Sequence, residues 1–310
     1  MRAHLGGANK REKMTFVSHL SSHKIDKIPT KNSYNMFFLN QIVDTTAQAR
    51  EALQNSDPPS KDGVEWVVDI PFDEMRKATG KAFAGKGEGT GEPMMEWAMK
   101  DVEWPAHEDR VGTATFMMSF DINSAFASKR VLTFGLKEKK EGGDVVATFL
   151  VREYDSRQQS QWYTKMGKSF RDFNLGAKLA MNGEIPEIYK SDDADTKKRA
   201  NLMTKKCEAY YKQFPAWHKE HGPEGRHWYL LVVATDPDHQ GHGYASEMMK
   251  KINELADGQQ MDIYFETGSE RLQKFYEKFG YEVVEKKVVS NPEDSNDTVD
   301  AILMVRKCKK

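Results

Sequence analysis

The sequence predicts an α/β fold, a mixed central sheet with helices on both faces and a long helical insertion ahead of its middle strand. Three observations predict it. "WYLLVVAT" (residues 228–235) is a continuous apolar run of strand length, as a strand covered on both faces requires. After it, strand and helix patterns alternate to the C-terminus, the mark of a mixed sheet. Before it, residues 158–221 read as helix, interrupted only by "NGEIPE" and the acidic "SDDAD".

Taken in order, apolar residues at Leu39, Ile42, Val43, Ala49, Ala52 and Leu53 repeat at helical spacing. "NSDPPSKDG" (55–63) breaks that pattern with two prolines and turn formers. The main domain is therefore placed at 62–310, with the insertion at 158–227, and 1–61 form an N-terminal arm that carries the helix and is partly disordered. "VEWVVDI" (64–70) is β-branched and aromatic, a strand pattern, and "PFDEMRKATGKAF" follows as a helix with acids near its start. "RVLTFGLKE" and "DVVATFLVREY", joined by "KKEGG", read as a β-hairpin. Within the helical stretch, Ala200, Met203, Cys207, Tyr210, Tyr211 and Phe214 mark a packing face. Beyond residue 235, Tyr244, Ala245, Met248, Met249, Ile252 and Leu255 form one face of a helix. "MDIYFET" is a further buried strand, and "SERLQKFYEKFG" a short helix with Ser269 as N-cap. "YEVVEKKVV" and "DTVDAILMVRK" are two more strands, with the polar "SNPEDSND" between them.

Composition narrows the function classes. The chain has 310 residues and a formal net charge of −1, so no overall field draws it to nucleic acid or an anionic membrane. No apolar run approaches the roughly 20 residues that span a bilayer. Cys207 and Cys308 are too few for a disulfide framework and match no metal spacing, which suits free thiols in a reducing, cytoplasmic setting. The first residues are basic but lack the apolar core of a secretory signal, and a disordered arm is favoured over an organelle transit peptide.

Several motif readings fail on spacing. "AGKGEGTGEPMMEWAMKD" (84–101) is glycine-rich, but Lys86 precedes most of its glycines and a helix pattern precedes the loop, so the phosphate-loop order is absent. It reads instead as a loop leading to a short helix with Met94, Met95 and Trp97. His218, His221 and His227 lack the spacing of a zinc helix and read as core or solvated histidines, so no metal site is assigned.

The turn "TDPDHQGHGYAS" (235–246) remains. Backbone N–H groups at a helix start are unpaired and sit at the positive end of the helix dipole, a ready seat for an anion. Glycine at Gly241 and Gly243 removes side chains that would block a phosphate. A tight strand–helix connection without a ligand would use the same glycines, and the dinucleotide fingerprint fails because Ser246 stands where its third glycine belongs.

Gln240, Gly241, His242, Gly243, Tyr244 and Ala245 resemble the Q/R-x-x-G-x-G/A motif of the GCN5-related N-acetyltransferases (GNAT). The similarity continues through "FETGSERLQKFYEKFGYEVVEK" and, more loosely, into the opening region from residue 64. This resemblance implies a splayed sheet that binds acetyl-CoA as co-substrate in the opening between its fourth and fifth strands. Backbone groups of Val233, Ala234 and Thr235 are then expected to face the pantetheine arm, and the N–H groups of residues 240–245 to hold the pyrophosphate. It also implies direct attack by a primary amine, of a small molecule, in a ternary complex. Leu272 stands where the family often has asparagine, and Arg271 or Gln273 are the polar substitutes nearby. Tyr276 matches the family's general acid toward the leaving thiolate, although an aromatic core residue would look the same. An alkyl ammonium has a pKa near 10.4, so a base must take its proton. Glu266, closing a strand near the expected reaction centre, is the first candidate, and Glu92 and Glu96 are others. A non-catalytic acyl-CoA-binding or partner-binding module on the same fold is the alternative, with the insertion carrying partner contacts.

Overall fold

A computed structural model describes residues 44–156 and 162–309, with the side chains of 162–167 left aside. The start of the first sequence-read helix, the N-terminal arm before it and the first residues of the insertion lie outside these.

The elements run, in chain order, α1 (Thr45–Gln54), β1 (Val64–Val68), α2 (Phe72–Ala84), α3 (Pro93–Met99), α4 (His107–Phe126), β2 (Val131–Glu138), β3 (Val145–Asp155), α5 (Trp162–Met181), α6 (Glu187–Lys190), α7 (Ala194–Tyr211), α8 (Phe214–His221), β4 (Arg226–Thr235), α9 (Tyr244–Gly258), β5 (Ile263–Thr267), α10 (Glu270–Glu277), β6 (Glu282–Asn291) and β7 (Asp294–Arg306). The strands form one seven-stranded sheet in the order β1-β2-β3-β4-β5-β7-β6. All neighbours are antiparallel except β4 and β5.

That one parallel pair positions everything that follows. β4 and β5 register only at Trp228↔Ile263 and Tyr229↔Tyr264, and then part. On its other side β4 stays bonded to β3 as far as Thr235↔Ala147, with a bulge that leaves Leu231 as the extra residue. A bulge bends its strand, here just where β4 leaves β5. The sheet is thus mixed and splayed, open between its fourth and fifth strands.

Helices cover both faces, each over its own core. On one side Met75 of α2, Met94 and Met95 of α3, Met118 and Ile122 of α4, and Met203 and Tyr210 of α7 pack with Leu150, Tyr229 and Tyr264. On the other, Ala49 and Leu53 of α1, Met248, Met249 and Ile252 of α9, and Tyr276 of α10 pack with Phe149, Trp228 and Phe265. Asp44 caps α1 through hydrogen bonds from the N–H groups of Thr46 and Ala47, and the hydroxyl of Thr45 joins the buried Trp228 indole to Glu153. The compact unit therefore begins at Asp44 and includes α1.

Three elements differ from the sequence reading. The twenty-residue α4, between 101 and 129, was assigned no element. Its apolar residues do not form one clean stripe, because α2 packs on one side of it and α5 on another. The polar stretch between the last two strands is not a loop but strand: Asn291 pairs with Asp294 across a two-residue turn, so "SNPEDSND" is largely hairpin. β4 starts at Arg226, two residues inside the span given to the insertion.

The insertion is anchored by a buried charge. Lys206 of α7 has no exposed surface, and its ammonium lies 2.8 Å from Asp297 of β7 and donates at 3.2 Å to the Trp97 carbonyl of α3. Asp101 completes the set at 2.5 Å. Lys206→Met leaves Asp297 short of one cation in a mostly buried setting, with Lys100 still at 2.6 Å. The expected loss is about 2 kcal/mol, below the full cost of orphaning a buried charge, read as a lowered midpoint in urea denaturation.

Candidate active site

The splay of β4 from β5 leaves one edge of β4 beyond Tyr229 without a strand partner. Backbone groups along that edge face a cleft of about 660 Å³. Val233, Ala234 and Thr235 line it from β4, and Gln240, Gly241, Gly243, Tyr244 and Ala245 line it from the turn and the start of α9. Of the predicted cofactor-contacting residues only His242 is outside the lining. Its exposed ring lies against Tyr244, with Nδ1 3.1 Å from the His239 carbonyl.

The turn is built for close backbone approach. Asp236 caps a single 3₁₀ turn at Pro237–His239, after which Gly241 and Gly243 take φ of 84° and 80°. That left-handed region is open to glycine and strained for other residues. Gly243 is the N-cap of α9 and no side chain caps the helix, so the first N–H groups of α9 point outward unpaired.

Charge around this seat comes from three places. Arg271, Lys274 and Lys278, at helical spacing along and just beyond α10, line the cleft. Lys61 places its ammonium 3.1 Å from where a β-carbon on Gly243 would stand. It belongs to the stretch read as N-terminal arm, so sequence spacing could not connect it with the turn. Glu247, in the first turn of α9, is the wrong sign for a phosphate seat, but it is committed elsewhere. It accepts from the N–H and the hydroxyl of Ser60, both at 2.6 Å. Burial pushes its carboxyl up, and those hydrogen bonds outweigh burial to hold it below the usual carboxylate range.

The position of Leu272 is apolar in its surroundings too, packing on the α9–α10 core. Of the two polar neighbours, Arg271 lines the cleft, whereas Gln273 hydrogen-bonds Glu277 at 2.6 Å. The glycine-rich loop between α2 and α3 spends its amides internally. Gly89 and Gly91 donate to Glu96, and Lys86 and Gly87 donate to Thr90 Oγ1. Glu96, also 2.7 Å from Arg110, is a loop clamp rather than a base in the cleft.

Behind the cleft lies a second cavity of about 270 Å³. Phe83, Glu92, Val233, Leu272 and Tyr276 line both and mark the throat between them. Glu266 lines the inner cavity. Its Oε2 accepts from the Tyr229 hydroxyl at 2.8 Å, while its Oε1 is buried with no hydrogen-bond partner among the described residues. Burial raises this carboxyl to about 7, against the hydrogen bond from Tyr229. Glu92 is likewise raised to about 7 by burial, although its carboxylate caps α3 through the Met95 N–H at 2.8 Å. The Tyr276 ring packs edge-on against Phe265 and Phe275. Burial, with the charge of Glu92 adding to it, pushes its phenol further above the ordinary range, so it keeps its proton at neutral pH.

The histidines behind the inner cavity are core residues. His218 and His227 hydrogen-bond each other at 2.6 Å, and His218 stacks between Tyr154 and Tyr264. Burial lowers His218 to about 3, so the pair is uncharged at neutral pH.

Residues 209–283, which hold α8 through α10, the turn and, of the throat, Val233, Leu272 and Tyr276, match the family model described as acetyltransferase (GNAT) domain. Solved structures to which the chain is similar include the histone acetyltransferase HPA2 and related acetyltransferase from Corynebacterium glutamicum, 14% identical over 81% of this chain and 98% of that one, with a TM-score of 0.43. Arylalkylamine N-acetyltransferase 2 from Aedes aegypti is 11% identical over 80% of this chain and 100% of that one, with a TM-score of 0.43. The ribosomal-protein-S18-alanine N-acetyltransferase from Escherichia coli is 11% identical over 80% and 95%, with a TM-score of 0.37. Likenesses this distant say nothing of the acceptor. Among the described residues no helix is long and apolar enough to cross a membrane. Over residues 209–283, then, the chain is similar to an acetyltransferase (GNAT) domain.

Proposed function

We propose that this domain, within a unit running to the C-terminus, transfers an acetyl group from acetyl-CoA to the primary amine of a small molecule by direct attack in a ternary complex. One observation carries the reading: the cleft at the β4–β5 opening continues, through a throat lined by Tyr276, into an inner cavity where Glu266 Oε1 has no partner.

The residues present fit the co-substrate. The glycine turn and the start of α9, with Arg271, Lys274 and Lys278, would hold its phosphates, and the free edge of β4 its pantetheine amides. When bound it supplies an acetyl thioester. Glu266 takes the proton of the attacking amine, as a carboxylate near 7 can do at neutral pH. Tyr276, protonated at the throat, gives its proton to the departing sulfur. N–H groups on the edge of β4 that β5 leaves free would be available to the carbonyl oxygen as charge develops on it. Phe83, Val233 and Leu272 give the throat an apolar lining.

Two measurements test this. Acetyl-CoA at about 100 times its Kd is expected to stabilise the fold by roughly 2.7 kcal/mol, seen as a higher melting temperature. A CoA-release assay over amino acids, polyamines, aryl amines, aminoglycosides and peptide amines is expected to find an acceptor among the small amines. Binding without release for any amine, with Tyr276→Phe inert, would point instead to a non-catalytic acyl-CoA-binding module.

A further inference from the structure

The inner cavity is walled in part by α4 and by the end of the insertion. Tyr210 and Tyr211 close α7, Phe214 opens α8, and Met118, Asp121 and Ser124 come from α4. We infer that this cavity is the acceptor site, that the helical insertion exists to close it, and that it takes a compact monoamine with a flat apolar body, an arylalkylamine. The inference rests on the acetyl-transfer reading above and narrows its acceptor.

Size comes first. About 270 Å³ lies below the usual range of ligand pockets, roughly 300–1,000 Å³, so a folded or extended polypeptide does not enter, and a ring with a short chain does. Shape comes next. Tyr210 and Tyr211 meet Phe214 edge to face, with centroids 5.2 and 5.3 Å apart. Aromatic pairs favour that geometry, and a substrate ring entering beside them extends the same packing.

Charge then separates monoamines from polyamines. Glu266, with its unpartnered oxygen, and Glu92 at the throat can serve one ammonium. The same wall holds two cations and one more carboxylate. Arg152 lies over the Tyr229 ring at 5.9 Å with no ion pair among the described residues, and Lys168 is set against Asp121. A second ammonium would meet Arg152, whose charge no described carboxylate offsets, whereas a neutral ring would not. In the reaction the bound ammonium first gives one proton to Glu266. The neutral nitrogen then bonds to the acetyl carbon as the thioester C–S bond breaks. The sulfur takes a proton from Tyr276, and the second proton of the nitrogen returns to the Tyr276 oxygen.

The test is a ranking by CoA release on the full chain. For 2-phenylethylamine and tryptamine, kcat/KM is expected to exceed that of putrescine, spermidine, lysine and an alanyl peptide by at least about tenfold, the worth of burying an aromatic side chain at the low end. Any member of the second group matching the first overturns the acceptor class and leaves acetyl transfer standing. No release with any amine overturns both. Ser124→Phe, which fills the inner cavity from α4, is expected to raise KM for 2-phenylethylamine more than tenfold while the melting shift given by acetyl-CoA is kept. Phe214→Ala provides the same readout from the insertion side if Ser124→Phe fails to fold. An unchanged KM in whichever of them folds overturns the assignment of the cavity.

Discussion

Gly243→Glu is expected to abolish the rise in melting temperature that acetyl-CoA gives the unaltered protein. Two effects combine. Gly243 has φ of 80°, and a residue with a β-carbon held there costs of order 1–3 kcal/mol. The added β-carbon would also stand 3.1 Å from Lys61 Nζ. The new carboxylate then occupies the seat proposed for phosphate and takes up the Lys61 ammonium beside it. Loss of stabilisation by roughly 2.7 kcal/mol at 100 times Kd is the reading expected from differential scanning fluorimetry. Gly243→Ala separates the two effects, because it brings the strain without the charge and should keep part of the shift. An undiminished shift in Gly243→Glu would remove this turn from the cofactor site.

Glu266→Gln is expected to lower kcat by about 10²- to 10⁴-fold, the usual worth of a general base, with little change in acetyl-CoA binding. The base works only when ionised, and burial places its carboxyl at about 7. In the unaltered protein kcat/KM should therefore climb as pH rises through 7 and level above it, and the glutamine variant should lose that limb. Stability moves the opposite way. The folded state holds this proton more tightly than the unfolded chain, whose carboxyl titrates near 4.5. Ionisation thus costs the fold stability as pH rises from about 4.5 to 7. Glu266→Gln should accordingly melt no lower than the unaltered protein at pH 8, which separates lost chemistry from lost folding. An unchanged kcat with an intact pH limb would move the base to Glu92.

The legible part of the fold was the part with one dominant local pattern. "WYLLVVAT" must be buried on both sides to tolerate seven apolar residues in a row, and it is the central strand. Gly241 and Gly243 signalled a backbone conformation that glycine favours, and both have positive φ. α4 was illegible for the opposite reason. It packs against α2 on one side and α5 on another, so its apolar residues spread around the helix and no single stripe stands out. The β6–β7 turn was hidden because polar residues suit a solvent-facing hairpin end as well as a loop.

By itself the sequence determined the mixed α/β class, the glycine turn between a buried strand and an amphipathic helix, and the family that this order of motifs resembles. Those features are local: each is set by residues within one or two elements, where periodicity and backbone freedom act directly. Only the tertiary structure decided which side chains share a space. It brought Lys61 beside Gly243, turned Glu247 toward Ser60, gave Glu96 to the glycine-rich loop, and set Tyr210, Phe214, Asp121 and Glu266 around one cavity. Apart from Glu96 with its loop and Tyr210 with Phe214, these residues are tens to hundreds of positions apart. Their meeting depends on how β4 parts from β5 and how the insertion folds back over the gap, and no spacing along the chain encodes that distance.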